Sequence, residues 1–340
     1  MKSHINIKED ALPIQEENHI LDKYFITGAT GYIGSMLAKK LISSRQPVTV
    51  IVRDPSRLDG DISSNAEVIQ ADIADSEAIS CITKNYDYII HCAAPTKSSY
   101  MITNPVEVTD IIVNGTEHIL DLAKRCGAKS VVYLSSMEVY GRISCPEGKR
   151  ITEDEMGYLD ASDIRSCYPI AKVMAENLCH SYYTEYGVPV KIARLAQTFG
   201  RGIRPDDKRV FAQFANSVRT GSDIVLHTAG SSMGNYCDID EAVDAILFLL
   251  QKGVNSEAYN VVNEENTMRI CKMAELVAEK VAGGHIKVSY DIPKGNPFGY
   301  ASDTGLRLSG EKLRRLGWEA KCSLEEMYRK MLHSINQSLK

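Results

Sequence analysis

Apolar positions between Lys23 and Leu195 follow two alternating rhythms. Lys23 to Thr27 is a short apolar run that ends in glycines and predicts a first strand. Ile33, Leu37 and Leu41 then recur at helical spacing over Ile33–Ser43, and Pro47 resets the chain. Val48 to Val52 is an unbroken β-branched run, the pattern of a strand buried on both faces. Further strands are predicted at Val68–Gln70, Tyr86–Cys92, Ser130–Ser135 and Val190–Leu195. Long helices are predicted at Pro105–Cys126, ended by Gly127, and at Pro169–Tyr186, ended by Gly187 and Pro189. Strands alternating with helices imply βαβ units, right-handed crossovers and a doubly wound parallel sheet of the α/β class.

After about Gly200 the rhythm changes. Helices at Asp240–Gln251, Met273–Val281 and Leu324–Ile335 are separated by long connections. This predicts a smaller, partly discontinuous C-terminal lobe over 201–340 that takes the substrate. A strand and helix from 235–263 are expected to return to the sheet. Residues 1–22 read as a polar extension without the apolar core of a secretory signal.

A glycine-spaced loop joins the first strand to the first helix. Gly28, Gly31 and Gly34 follow a G-x-x-G-x-x-G spacing, with Thr30, Tyr32 and Ile33 between them. Backbone without Cβ turns sharply there and approaches a pyrophosphate, and the helix N-terminus offers free N–H groups. Residues 23–200 therefore read as a Rossmann domain that binds NAD or NADP. Arg53 ends the second strand and suits a 2′-phosphate, whereas Asp54 suits the ribose hydroxyls, so the choice of dinucleotide stays open. Asp72 and Ile73, after the third strand, can hold the adenine edge, or Asp72 can cap a helix.

Tyr168 and Lys172 stand four residues apart, on one helix face. A neighbouring ammonium is expected to lower the phenol's pKa toward the range useful for acid–base work. Ser135 and Ser136 end the fifth strand, at the edge where open parallel sheets bind ligands.

These pieces carry a resemblance. TGATGYIG (27–34), HCAAPT (91–96), NPVEVTDIIVNGTEHILDLAKRCGA (104–128), LSSMEVYG (134–141), YPIAK (168–172) and LGW (316–318) resemble the extended short-chain dehydrogenase/reductases of the NAD-dependent epimerase/dehydratase family. The likeness runs from about Lys23 to Trp318, and its middle block is similar to UDP-glucuronate decarboxylases and sugar-nucleotide dehydratases. The interval from Ser136 to Tyr168 also resembles theirs rather than the shorter one of simple 4-epimerases.

The resemblance implies Ser136 as catalytic hydroxyl, Tyr168 as base and Lys172 as its partner and a cofactor ligand. It implies Glu138 at the substrate or bonded to backbone, Ala93 and Ala94 at the cofactor, and Thr96 at the substrate. It implies oxidation of a nucleotide-activated sugar at C4, then epimerisation, decarboxylation or elimination from the 4-keto sugar. It also implies a homodimer formed by the helices at 105–126 and 169–186. Asn114 and Gly115 lie mid-helix, which suggests a buried structural role.

The chain departs from the family pattern at three places. Met137 stands where acid-pair dehydratases carry Asp, and Met cannot protonate a leaving hydroxyl. Gln197 replaces a substrate-contacting Asn, and Gly234 replaces an Arg that clamps the diphosphate. Arg201, Arg204 or Arg209 can substitute for that clamp, or can form a solvated loop. The competing readings are an NADPH-dependent reductase of a keto-sugar or other carbonyl compound, and a non-catalytic cofactor-binding module.

Composition narrows the partners. The 340 residues are 44% apolar with net charge −5, and no Lys/Arg run suggests nucleic acid. No apolar stretch has the length of a membrane span. Nine cysteines without a C-x-x-C pair fit reduced thiols in the cytoplasm. Eight histidines without H-E-x-x-H or a Cys/His cluster predict no metal site.

Overall fold

The computed structural model describes residues 21–204, 206–295 and 304–338. Residues 1–20 of the extension expected at 1–22 lie outside them. Seven parallel strands form the central sheet: β1 (Tyr24–Thr27), β2 (Val48–Val52), β3 (Glu67–Gln70), β4 (Tyr88–His91), β5 (Ser130–Ser136), β6 (Val190–Leu195) and β10 (Ala258–Val261), in the order β10-β6-β5-β4-β1-β2-β3. Tyr24 lies opposite both Val48 and Tyr88, so β1 sits at the switch point where the strand order reverses. Ligands of open α/β sheets bind outside the carboxyl ends of the strands at that point.

Helices cover both faces. α1 (Tyr32–Ser43) packs on one face together with α8 (Ile239–Lys252), around Leu37, Val50, Ile90 and Ile246. α5 (Pro105–Cys126) and α6 (Cys167–Tyr186) pack on the other, around Phe25, Ile89, Ile119 and Ile192. Short helices α2 (Gly60–Asn65), α3 (Ser76–Ser80) and α4 (Ser98–Thr103) fill the connections. The limits of α5 have local causes. Pro105 occupies its first turn, where the missing N–H costs nothing, and Glu107 faces the positive end of the dipole. Lys124 and Arg125 lie in the last turn, and Gly127 closes the helix at φ 60°.

A second core forms beyond β6. β7 (Gln197–Phe199), β9 (Met233–Asp238) and β11 (Asn263–Arg269) make a three-stranded sheet, and β8 (Ile224–Leu226) pairs with β12 (Val288–Tyr290). α7 (Val210–Thr220), α9 (Ile270–Leu276), a π-helical turn at Val277–Val281 and α11 (Leu324–Ser338) surround them. α10 (Glu311–Arg315) packs back on the first core through Leu313. Phe199 stacks on Phe211 and meets Tyr236 and Tyr328 edge-on at the centre of this second core.

The pattern of apolar residues located β2, α5 and β6 to the residue. α6 begins two residues before Pro169, since a proline within the first turn loses no intrahelical bond. α7 went unread, although Phe211, Phe214 and Ala215 are its buried face. Among the described residues no helix is long and apolar enough to cross a membrane.

Candidate active site

The glycine loop is built by close backbone approach. A Cβ at Gly28 would lie 2.8 Å from the Ala93 nitrogen, and its φ is +74°. A Cβ at Gly34 would lie 2.3 Å from the Gly28 carbonyl oxygen. Only glycine fits either position. The Thr27 hydroxyl oxygen accepts from the Cys92 and Ala93 amides at 3.0 and 2.9 Å, tying the loop to the end of β4. Gly31 caps α1 without any side-chain bond, so the first N–H groups of the helix stay available to an anion. Thr30, Tyr32 and Ile33 are half-buried around this cradle, as are Ala93 and Ala94 beside it. The cradle fits a dinucleotide pyrophosphate.

Beneath it, His91 bridges the Thr27 hydroxyl at 2.8 Å and the Thr116 hydroxyl at 3.1 Å. Burial pushes His91 down to about 3, so it stays neutral and structural.

The adenosine edge differs from both sequence readings. Arg53 lies 3.5 Å from Glu107 and 3.7 Å from Asp72, so its guanidinium faces two carboxylates. Asp54 turns away and binds the Ser56 amide and hydroxyl. Asp72 accepts from the Ala74 amide at 3.0 Å, whereas the cap of the next helix is Asp75. The cap alternative for Asp72 is therefore corrected by three residues. Ile73 is buried against Gly115, where a Cβ would come within 2.7 Å of its Cδ1. Gly115 thus has the expected structural role, but Asn114 does not. It is exposed and bonds Asp110 on its own helix.

Ser136 ends β5 in extended conformation, and its hydroxyl accepts from the Glu138 amide at 3.2 Å. The Tyr168 phenol, in the first turn of α6, lies near this hydroxyl, which acts to lower its pKa. Lys172, one turn further on, donates to the Leu134 carbonyl at 2.7 Å. Its ammonium lies 5.9 Å from the Tyr168 ring centre. The lowered phenol pKa expected from this pair is not what the fold produces. Burial, followed by the Glu138 charge, pushes Tyr168 well up, against smaller opposing effects of Ser136 and Arg165. Lys172 itself is pushed down to about 8 by burial, partly opposed by Glu176. A desolvated ammonium bound to a carbonyl does not act on the phenol as a free cation would.

Glu138 accepts two bonds from Arg165, at 2.9 and 3.1 Å, rather than bonding backbone. Sequence reasoning missed Arg165. Its only signal is a position three residues before Tyr168.

A buried network behind Ser136 was also missed. The Ser135 hydroxyl donates to Glu176, which takes a forked ion pair from Arg194 at 2.7 Å. Arg194 also donates to the Tyr140 hydroxyl and the Glu153 carbonyl. Tyr140 donates to Asn260, whose amide bonds Glu153. The network joins β5, β6, α6 and β10. Glu176 stands four residues after Lys172, a spacing that could have revealed it.

The residues expected at the substrate are less tightly assembled. Thr96 is exposed after β4, and Gln197 is half-buried in β7 opposite Tyr236. A Cβ at Gly234 would lie 2.2 Å from the Tyr236 hydroxyl, so that ring fills the space a side chain at 234 would need. Arg209 is committed to Asp207 and stacks over Phe211, which speaks against a free diphosphate clamp there. Arg201 pairs with Asp240. Among the described residues no carboxylate pairs with Arg204, which leaves it as the free guanidinium of this loop.

Comparison with known proteins places the chain in context. The model of the "NAD dependent epimerase/dehydratase family" matches residues 24–262. UDP-glucuronic acid decarboxylase 1 of Danio rerio is 29% identical over 325 residues, covering 93% of this chain and 73% of the relative. UDP-glucuronic acid decarboxylase 3 of Arabidopsis thaliana is 30% identical over 312 residues, covering 89% and 86%. The crystal structure of UDP-glucose 4-epimerase with UDP-glucose from Thermotoga maritima has the same fold, with a TM-score of 0.81 at 24% identity over 94% of this chain and 100% of that one.

Proposed function

The chain belongs to the NAD dependent epimerase/dehydratase family, and from that premise we propose that it oxidises a nucleotide-activated sugar at C4 and then decarboxylates it, with Tyr168 as the base. The observation that carries the reading is the Tyr168 phenol close enough to the Ser136 hydroxyl at the carboxyl edge of β5 to feel it, with Lys172 buried one turn away. A dinucleotide with its pyrophosphate on the glycine cradle would supply the hydride acceptor and later the donor.

Ser136 orients the C4 hydroxyl, and Tyr168 takes its proton as the C4–H bond breaks. Lys172 and the Ala93–Ala94 edge would hold the dinucleotide beside this pair. The carbonyl formed at C4 lies β to a carboxyl group carried on C5. The C5–carboxyl bond then breaks, CO2 leaves, and the electron pair moves into a C4–C5 enolate that Ser136 and Tyr168 stabilise by hydrogen bonds. C5 takes a proton, and Tyr168 would give its proton back to the C4 oxygen as that carbonyl is reduced again to the hydroxyl. Among the possible outcomes, decarboxylation is favoured by the relatives. Met137 offers no acid for elimination, and Arg165 presents a guanidinium of which only one nitrogen is occupied. Arg204 is our candidate for the diphosphate.

We further propose a homodimer through α5 and α6, whose outer faces expose Val106 (82%), Met174 and Ile170. A cytoplasmic location fits nine cysteines that are all free thiols.

The test is incubation with UDP-glucuronate, UDP-glucose and NADPH, followed by NMR and CO2 trapping. CO2 and a UDP-pentose without net nicotinamide turnover are expected. Interconversion of UDP-glucose and UDP-galactose without CO2 would move the reading to an epimerase. Stoichiometric NADPH consumption with a UDP-4-keto-sugar as acceptor would move it to a reductase.

A further inference from the structure

The glycine loop and the second core meet at one side chain. Tyr32 opens α1 directly after Gly31, so its backbone N–H is among those left free for a pyrophosphate. Its ring is half-buried and packs against both hydrophobic cores, the one against the parallel sheet and the one around Phe199. Its hydroxyl donates to the Arg201 carbonyl at 2.7 Å, across 169 residues of chain. A Cβ at Gly202, whose φ is +76°, would lie 3.7 Å from Cε2 of this ring, so the loop after β7 lies against it. Two further ties hold that loop. The Gly202 amide donates to the Ser334 hydroxyl of α11 at 3.0 Å, and Arg201 pairs with Asp240 in the first turn of α8 at 2.7 Å. Arg204, two residues beyond Gly202, is the guanidinium proposed above for the diphosphate.

We propose that Tyr32 is a positioning residue that couples the two binding sites. A dinucleotide on the cradle fixes the Tyr32 backbone, and the phenol then fixes the loop that presents Arg204 to the sugar nucleotide. The coupling rests on reading the glycine loop as the dinucleotide site and Arg204 as the diphosphate ligand. Its physical basis is ordering. The loop loses freedom when it grips a diphosphate, and the part of that loss already incurred with the dinucleotide is not incurred again by the second ligand. By linkage the effect is reciprocal, so a nucleotide diphosphate tightens dinucleotide binding by the same factor. Couplings between sites commonly amount to about fivefold or more. A single net hydrogen bond is worth about a factor of five, so the Tyr32–Arg201 bond is strong enough to carry one.

Binding of UDP is measured by titration calorimetry on the full chain stripped of dinucleotide, with and without saturating NAD+, and a melting curve is taken for each variant. The readout is the ratio of the two affinities. It is expected to be about fivefold or more for the wild type, with UDP raising NAD+ affinity by the same ratio. Tyr32→Phe keeps a ring between the two cores but removes the hydroxyl, and its ratio should fall to about twofold or less. Ser334→Ala cuts the loop's bond to α11 instead, and its ratio should stay within about twofold of the wild type. Three results overturn the proposal: a wild type without coupling, a folded Tyr32→Phe variant with the wild-type ratio, or a Ser334→Ala variant that loses as much as Tyr32→Phe. Failure of the folded wild type to bind NAD+ overturns the dinucleotide reading of the cradle, and the proposal with it. Failure of the NAD+-loaded protein to bind UDP does the same for the nucleotide-sugar reading. Both are distinguishable from the loss of a ratio between two measured affinities.

Discussion

Two carboxylate–guanidinium pairs flank the end of β5, and they differ mainly in burial. Glu176 and Arg194 are 6% and 7% exposed, while Glu138 and Arg165 are 38% and 30% exposed. The buried pair lies behind Ser135 and joins four elements. The open pair lies beside Ser136 and Tyr168. Burial works against the Arg194 charge, but Glu176 more than offsets it, and the guanidinium is held further up. The open pair is screened by water and contributes about 0–1 kcal/mol. The same chemistry is therefore scaffold on one side of the strand and adjustable electrostatics on the other.

The largest effect that would break this comparison is expected from Arg194→Met. It leaves Glu176 as an uncompensated buried charge and should cost about 3–5 kcal/mol in chemical denaturation. Replacing both partners together, Glu176→Leu with Arg194→Met, should recover much of that loss, since an apolar pair of similar volume removes the stranded charge. A double variant no better than the single one would deny the pair its scaffold role.

The open pair should respond in kinetics instead. Glu138→Gln removes a negative charge that raises the Tyr168 pKa. The apparent pKa of the Tyr168 limb in kcat/KM should move down, with stability changed by less than about 1 kcal/mol. Arg165→Met removes a cation that favours the phenolate, so the same limb should move up. Shifts of the same sign in both variants would show that the pair acts through structure alone.

The smallest expected effect concerns a buried cation that pairs with no carboxylate among the described residues. Lys191 donates to the Ser130 hydroxyl and the Pro189 carbonyl, and burial pushes it down to about 8. Between pH 8 and its ordinary value near 10.4, the unfolded chain holds a proton that the folded chain has released. Stability therefore rises with pH across that window. Lys191→Met should flatten the rise and raise stability near pH 7, as urea denaturation at several pH values would show. A variant less stable than wild type at pH 7 would assign the ammonium a favourable net role.

These contrasts show how far local pattern carries. The parallel sheet, the glycine cradle and the Tyr168–Lys172 pair are legible because each depends on neighbours within a few residues, whereas Ser136 as their partner comes from the family resemblance. A β-branched run, a loop without Cβ atoms and an i,i+4 spacing have meaning before the chain folds. α7 escaped because its apolar face is interleaved with polar residues directly after a charged loop. Arg165 escaped because a single basic residue before a helix has no local signature.

By itself the sequence determined where strands and helices form, and which residue types stand at the carboxyl edge of the sheet. Those are short-range matters of φ/ψ preference and apolar period. Only the tertiary structure decided the electrostatics. It set Arg53 between Asp72 and Glu107, Arg165 on Glu138, and Arg194 on Glu176. It also raised the Tyr168 phenol where its helical neighbour alone suggested a fall. The physical reason is that charge interactions and desolvation depend on distance and burial in space, and the fold brings these partners together from distant parts of the chain.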